Sequence, residues 1–323
     1  MEREARAFWI RSPGEGEVRD VALPALGPDD VLVRTLFSGV SRGTEALVFR
    51  GGVPASQHAI MRAPFQEGEF PGPVKYGYLN VGEVEHGPPG LLGRTVFCLY
   101  PHQTRYVVPA GAVTPVPDGV PPERAVLAGT VETAVNALWD AAPLVGDRIA
   151  VVGGGMVGCS VAGVLAGFPG CRVQLVDTDP SRADVARAFG VGFARPEDAD
   201  DGCDVVVHAS ATEAGLARSL ELLAPDGEVV ELSWYGDRRV SVPLGEFFHS
   251  RRLTVRSSQV GAVAPARRSR RTFADRLAVA LRLLADPAFD ALVTGEDGFA
   301  DLPRVMPRLA SGELPALCHR ITY

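Results

Sequence analysis

The 323-residue chain is nearly without lysine: of its 32 basic residues only Lys75 is not an arginine. Its five cysteines (Cys98, Cys159, Cys171, Cys203, Cys318) stand far apart with no CxxC pair. That spacing excludes a disulfide framework and a thiolate zinc knuckle, and reads as a reduced, cytoplasmic protein. Positive charge is not in excess. The formal net charge of −7 argues against nucleic acid or an anionic membrane as the main partner. The N-terminal stretch Met1-Glu-Arg-Glu-Ala-Arg carries two acids and leads into no apolar signal core. One apolar run, Ile149–Phe168, is about long enough to span a bilayer. Four of its first ten residues are glycine, however, and a strand pattern opens it, so no membrane span is expected. Internal repeats and low-complexity tracts are absent.

What remains is globular. Hydrophobic residues make up 46% of the chain, and its length suits two domains of about 100–200 residues each. The first 120 residues are rich in Gly and Pro. Their short β-like runs (Val31–Phe37, Val81–Glu85, Thr95–Leu99, Arg105–Val108) are separated by turn signals, as in a mostly β domain. From Pro121 the texture changes. Pro121-Pro122-Glu123 precedes a helical pattern over Arg124–Ala142. Apolar strands (Ile149–Val152, Arg172–Val176, Asp204–Val207, Glu228–Leu232, Leu253–Ser257) then alternate with helical segments (Val157–Gly167, Arg182–Phe189, Ala214–Ala224). Such alternation predicts a parallel sheet with helical crossovers. A helix over Thr272–Ala285 follows, and Leu317–Thr322 reads as a strand returning to the first domain.

The run Ile149-Ala-Val-Val-Gly153-Gly-Gly155-Met156-Val157-Gly158 is a strand entering GxGxxG and a helix. Gly153 suits the tight turn, Gly155 lets backbone approach a pyrophosphate, and Gly158 lets helix pack on sheet. The helix N-terminus then offers free N–H groups to phosphate. The next strand ends in Asp177, about 20 residues beyond Gly158, where an acid can accept both adenosine ribose hydroxyls and repel a 2′-phosphate. The expected cofactor is therefore NAD rather than NADP. Arg182 is the counterweight: it either meets a 2′-phosphate or is a solvated residue in the first turn of the next helix.

With these residues in place the chain resembles the medium-chain dehydrogenases/reductases over nearly its whole length. The segment Val145–Gly158 carries the likeness most clearly, followed by Val176-Asp-Thr-Asp-Pro-Ser-Arg182 and Ala186–Gly190. The resemblance implies an α/β fold, with a Rossmann nucleotide-binding domain (121–259) inserted in a β-rich, GroES-like catalytic domain (1–120 and 260–323). Many members hold a catalytic zinc, and this chain departs at each ligand position. Ser41 stands in Gly39-Val40-Ser41-Arg42-Gly43-Thr44-Glu45, Tyr78 in Gly77-Tyr78-Leu79-Asn80, and the third position falls near Gly129. The structural-zinc lobe is missing too. Neutral Ser and Tyr are poor zinc ligands, so no metal is expected. The Ser38–Glu45 run and the Gly-Tyr pair look like a zinc-lacking branch that includes the bacteriochlorophyllide hydroxyethyl dehydrogenases; the likeness does not transfer the substrate.

Without zinc, alcohol–ketone chemistry needs a hydrogen-bond donor of tunable pKa at the substrate oxygen. Tyr78 is the candidate, and Lys75, three residues earlier, would favour its phenolate. The bland alternative makes Tyr78 a space filler and Lys75 a surface charge. Ser41 either bonds substrate oxygen or caps a turn; Thr44 lines the same loop; Glu45 braces the following helix, Glu45–Phe49. His102 is in the range for proton transfer or is structural. By resemblance, Arg42 reaches the pyrophosphate and Glu132 and Thr133 open toward the nicotinamide. Ser210, Trp234, Tyr235 and Gln259 follow strand ends on the cofactor edge. The Arg267–Arg271 cluster reads as a solvated run.

The expected function is a zinc-independent, NAD-dependent interconversion of a secondary alcohol and its ketone, acting on a small molecule. A homodimer through the edge strand Leu253–Ser257 is possible in such a family. Three rivals stand beside it. One is a quinone or enoyl reductase of the same fold, and another is a dinucleotide sensor without catalysis. The third is a serine hydrolase, since Gly39-Val40-Ser41-Arg42-Gly43 also fits a GxSxG elbow.

Overall fold

The apolar runs of the central segment are buried on both faces: Ile149, Ala150, Val151 and Val152 all lie in the core, as the middle of a parallel sheet requires. The computed structural model describes residues Glu4–Tyr323. Met1–Arg3, where the N-terminal reading begins, lie outside the described residues. The chain divides into two units, Met1–Gly129 with Val293–Tyr323, and Thr130–Leu292. We call them the flanking unit and the nucleotide unit.

The nucleotide unit is a six-stranded sheet. Its spatial order is Gly192–Ala194, Arg172–Val176, Arg148–Val152, Cys203–His208, Leu223–Glu231 and Thr254–Ser257, and every pair is parallel. This is the doubly wound order, with a switch point beside the first strand of the unit, Arg148–Val152. Helices Met156–Leu165, Arg182–Phe189 and Glu213–Glu221 supply crossovers. The division falls at 129 and 292, where the sequence suggested 120 and 259. Arg276 gives the physical reason. It is buried on helix Phe273–Leu283 and bonds Glu132 and Asn136 of helix Ala128–Ala141, together with the carbonyls of Val260 and Ala262. A buried guanidinium needs all these partners, and meeting them ties residues beyond 259 to the nucleotide unit.

The flanking unit holds two sheets. The smaller orders Glu15–Ala22, Glu4–Ser12, Val74–Lys75 and Glu67–Gly68; the larger is built around the long strand Asp30–Ser41. The returning strand is there: Cys318–Thr322 pairs antiparallel with Ser41 back to Phe37. Helix Leu302–Ser311 buries Leu302, Val305, Met306, Leu309 and Ala310. That spacing makes one apolar stripe, which packs with Val48 and Phe49 of helix Arg42–Phe49.

Among the described residues no helix is long and apolar enough to cross a membrane.

Candidate active site

The flanking unit gathers most of the polar residues singled out around Ser41. Strand Asp30–Ser41 runs straight into helix Arg42–Phe49, and Ser41 is its N-cap position. The Ser41 side chain does not cap. Glu45 does that work instead: its Oε1 accepts the Ser41 backbone N–H at 2.7 Å. Burial pushes the Tyr78 phenol up to about 12, the Glu45 carboxylate pushes the same way, and bonds from the Ser41 and Thr44 hydroxyls oppose them. Tyr78, Ser41, Thr44 and Glu45 thus form one cluster with a neutral phenol at its centre. Arg42 opens the helix, half-exposed and without an ion pair among the described residues.

Lys75 does not join the cluster. Its ammonium is buried and donates to Glu67 (2.5 Å) and Gln103 (2.7 Å), with the Tyr100 hydroxyl at 3.5 Å. Burial lowers its pKa and Glu67 opposes that shift. The expected Tyr78–Lys75 pairing is therefore corrected. The Tyr78 phenol moves up, the opposite of what a neighbouring ammonium produces.

His102 is buried and uses both ring nitrogens: Nε2 meets Glu45 Oε2 at 2.9 Å and Nδ1 meets Ser38 Oγ at 2.6 Å. The Ser38 hydroxyl also lies 2.9 Å from the Tyr323 hydroxyl. Ser38 and Tyr323 escaped sequence reasoning. They are 285 positions apart, and only the pairing of the last strand with Asp30–Ser41 brings them together. The same bonds correct the hydrolase reading. Neither His102 nitrogen remains for Ser41, so the nucleophile–base contact of an elbow serine is not made.

The three positions that the sequence resemblance sets against zinc ligands, Ser41, Tyr78 and Gly129, form a poor donor set for that ion. Ser41 and Tyr78 offer only neutral hydroxyls. Gly129 has no side chain, and a Cβ there would come within 2.6 Å of Leu79. Such a donor set lacks the thiolate, imidazole and carboxylate that bind zinc.

The nucleotide unit carries the glycine loop. Gly153 has φ +108°, and a Cβ there would lie 2.5 Å from the Ser210 backbone N. A Cβ on Gly158 would lie 1.9 Å from the Gly153 carbonyl oxygen, while around Gly155 the space is open. The loop is thus closed toward the sheet and open where a phosphate would sit, and helix Met156–Leu165 begins there. Met156 is buried and Val157 half-buried. Asp177 folds onto the loop: Oδ2 accepts the Gly154 N–H at 2.5 Å and Oδ1 accepts from Asp179 N at 2.8 Å. Arg182 pairs with Asp179 at 3.1 Å, its stem lying over Gly154.

Other candidates have defined duties. Glu132 is not an open carboxylate: it is buried against Arg276 Nε at 3.0 Å. Burial raises its pKa and Arg276 opposes the rise. The structure thus places Glu132 in an ion pair instead of on an open substrate surface. Thr133 is half-buried on the same helix. Ser210 bonds His208 Nε2 at 2.6 Å and Thr212 Oγ1 at 2.9 Å. His208 Nδ1 in turn meets Glu231 at 2.7 Å, and Tyr235 donates to Glu231 at 3.2 Å. His208 and Glu231 also escaped notice, although they are register partners at adjacent strand ends. Trp234 is exposed. The Gln259 carbonyl accepts from Asn136.

No protein-family profile matches the chain. An alcohol dehydrogenase of Cupriavidus necator is 24% identical over 295 aligned residues, covering 75% of this chain and 80% of that protein. Among solved structures, a short chain alcohol dehydrogenase from Escherichia coli CFT073 in complex with NADH superposes with TM-score 0.79 at 14% identity, covering 99% and 100% of the two chains. A zinc-binding dehydrogenase from Sinorhizobium meliloti 1021 bound to NADP gives 0.79 at 17% identity, covering 99% of each. The α/β fold is shared with these dehydrogenase structures over the full chain.

Proposed function

We propose that this chain is a zinc-independent, NAD-dependent oxidoreductase that interconverts a secondary alcohol and its ketone. The observation that carries the reading is Asp177 closing on the glycine loop through Gly154 in a sheet of doubly wound order. A carboxylate there favours the two ribose hydroxyls of NAD and disfavours a 2′-phosphate. The glycine loop and the first turn of helix Met156–Leu165 would hold the pyrophosphate. Arg42, Thr133, Ser210 and Gln259 are the further residues we assign to the cofactor. Trp234 and Tyr235 are assigned to the substrate side. NAD, when bound, accepts or returns the hydride. The chain itself supplies the proton chemistry: Tyr78, kept neutral by burial and by Glu45, donates to the substrate oxygen, and Ser41 and Thr44 orient it. This cluster takes the place of a metal, and in this respect the chain fits the zinc-lacking branch that its Ser38–Glu45 run resembles.

Two lesser assignments follow. The Cys98, Cys159 and Cys318 thiols are buried and pushed up to about 12, which suits inert core cysteines in the cytoplasm. The edge strand Thr254–Ser257 is exposed along its length, and we assign it to pairing with a second copy, a state that sedimentation measures.

Fluorescence titration with NADH and NADPH tests the cofactor assignment. NADH should bind more tightly. Asp177→Ala should weaken NADH on the order of 10-fold, as for lost bonds to a charged group, and narrow the preference. Tighter binding of NADPH by the wild-type protein would falsify the NAD assignment.

A further inference from the structure

Away from the glycine loop, the nucleotide unit holds a cleft of about 500 Å³ beside its edge strand Thr254–Ser257. Trp139 and Asp140 of helix Ala128–Ala141 line one side, and Arg256 and Ser257 of the edge strand another. The irregular segment 262–268 completes it. The lining carries two guanidinium groups, Arg256 and Arg268, and one carboxylate, Asp140, a net of one positive charge. The Trp139 ring and the alanine, valine and proline side chains of 262–266 make the rest largely apolar. We propose that this cleft binds a small aromatic carboxylate.

The two arginines are placed differently, and the difference suits a single anion. Arg256 is held: Nη1 donates to the Asp140 carbonyl at 2.9 Å, and Nε lies 2.7 Å from Glu228 Oε1. Glu228 offsets its charge, while half of the Arg256 side chain stays exposed. Arg268 is exposed and, among the described residues, has no ion pair. It is the uncompensated charge of the lining. The Asp140 carboxylate is turned to internal partners: it is buried and accepts from Ser258 Oγ at 2.6 Å and Asn136 Nδ2 at 3.3 Å. A guanidinium fork matches a carboxylate in shape and charge. The apolar lining and the Trp139 ring favour an aromatic body on that carboxylate. The volume lies within the range of about 300–1,000 Å³ that small-molecule sites occupy. A phosphate, with up to two charges, fits one free guanidinium less well.

The irregular side of the cleft is fixed in place by side-chain bonds. Ala264 is buried, and its N–H donates to Asn136 Oδ1 at 3.1 Å. The buried Arg276 donates to the carbonyls of Val260 at 2.6 Å and Ala262 at 3.2 Å. The next turn closes as the N–H groups of Arg267 and Arg268 donate to the Ala264 carbonyl at 2.8 and 3.0 Å. The backbone that presents Arg268 is therefore set before a ligand arrives, which lowers the ordering cost of binding. Arg267, Arg270 and Arg271 are exposed on the same stretch. They add positive field around Arg268 in a chain of net charge −7 and so favour the approach of an anion. No residue of the glycine loop lines the cleft, nor does Asp177; of the residues assigned to the cofactor, Gln259 alone borders it.

Calorimetric titration of the whole chain with benzoate tests the site, with acetate, benzyl alcohol and phenyl phosphate as comparison probes. Benzoate should bind about 10-fold or more tightly than acetate, for its buried ring, and more tightly than the neutral benzyl alcohol. Arg268→Gln should weaken benzoate about 10-fold, as for a lost bond to a charged group. Its urea unfolding should match the parent, since the side chain is exposed. Benzoate should quench tryptophan fluorescence, and Trp139→Phe should remove that quench while calorimetry still detects binding. Saturating NADH should leave benzoate affinity unchanged, as for uncoupled sites. No benzoate binding at millimolar concentration, equal binding by Arg268→Gln, or a quench retained in Trp139→Phe overturns the proposal. So does displacement of benzoate by NADH, which would make the cleft part of the cofactor site. Tighter binding of phenyl phosphate, or acetate binding as well as benzoate, overturns the aromatic carboxylate as its ligand. The site does not rest on the cofactor reading: in a chain that binds no NADH, the two variants still decide it.

Discussion

In the flanking unit His102 turns Nε2 to Glu45 and Nδ1 to Ser38, whereas in the nucleotide unit His208 turns Nδ1 to Glu231 and Nε2 to Ser210. The residue types are the same and the ring is reversed. The larger difference lies in how each cluster ends. Ser210 bonds Thr212, and Thr212 caps helix Glu213–Glu221 by accepting from Gly215 N at 3.0 Å. Glu231 is fixed again by Ser233 N at 2.7 Å and by Tyr235. Burial raises the pKa of Glu231, but its bonds from His208 and Ser233 outweigh that and hold it below the usual carboxylate range. The second cluster is thus spent on backbone and a helix cap. The first runs between the Tyr323 hydroxyl and the Glu45 carboxylate, which lies in the candidate site near Tyr78. Composition alone does not separate a chemical cluster from a structural one; its terminations do.

Removing the phenol should break this contrast most sharply. Tyr78→Phe should lower kcat on the order of 10²-fold or more, as loss of a positioned acid does, with the fold intact. It should also alter alkaline stability. A phenol raised from 10 to about 12 contributes stability that is present below pH 10 and is lost as pH rises toward 12. Urea unfolding between those values should therefore fall less steeply in Tyr78→Phe than in the parent. An unchanged kcat would return Tyr78 to the role of space filler and erase the distinction between the clusters.

The reversed histidine sharpens the comparison from the other side. His208→Asn removes a partner of the half-buried Glu231 carboxylate and should cost about 1–3 kcal/mol in urea unfolding. NADH affinity should fall with the loosening of Ser210 beside Gly153, yet the pH profile and solvent isotope effect on kcat should keep their wild-type form. A changed isotope effect would show that this cluster, too, handles a proton, and the argument from terminations would not survive it.

Much of the nucleotide unit was legible because its signals are local. Apolar runs mark the strands, and Arg182–Phe189 emerged with the bounds that its pattern predicts, closed by Gly190 at φ 70°. Helix Leu302–Ser311 went unread because Pro303 and Pro307 look like breakers. The first occupies the opening turn, where proline is tolerated, and the apolar stripe carries the helix past the second. The hairpin Glu4–Ser12 and Glu15–Ala22 was hidden by its charged outer residues. Nothing local marks Ser38 and Tyr323, since only strand pairing makes them neighbours. The candidate site was thus legible in its residue types at 41, 44, 45, 78 and 102, and illegible in its connections.

The smallest effect on turnover is expected where the sequence drew most notice. Lys75 is the only lysine and stands three residues before Tyr78, a spacing that suggests contact. In extended backbone, however, three residues advance the chain about 10 Å and turn the side chain to the other face. Lys75 lies in the strand Val74–Lys75, and its ammonium is taken up by Glu67 and Gln103. Lys75 serves a different need: it sits buried over the Tyr100 ring at 5.2 Å and satisfies Gln103 and Glu67. Lys75→Arg keeps the charge but forces a wider, planar head into that space. Stability should fall about 1–3 kcal/mol from overpacking, read by urea unfolding, while kcat stays within about twofold of the parent, a change far below the effect of removing an acid. A large loss of kcat without a loss of stability would place the ammonium back in the proton chemistry.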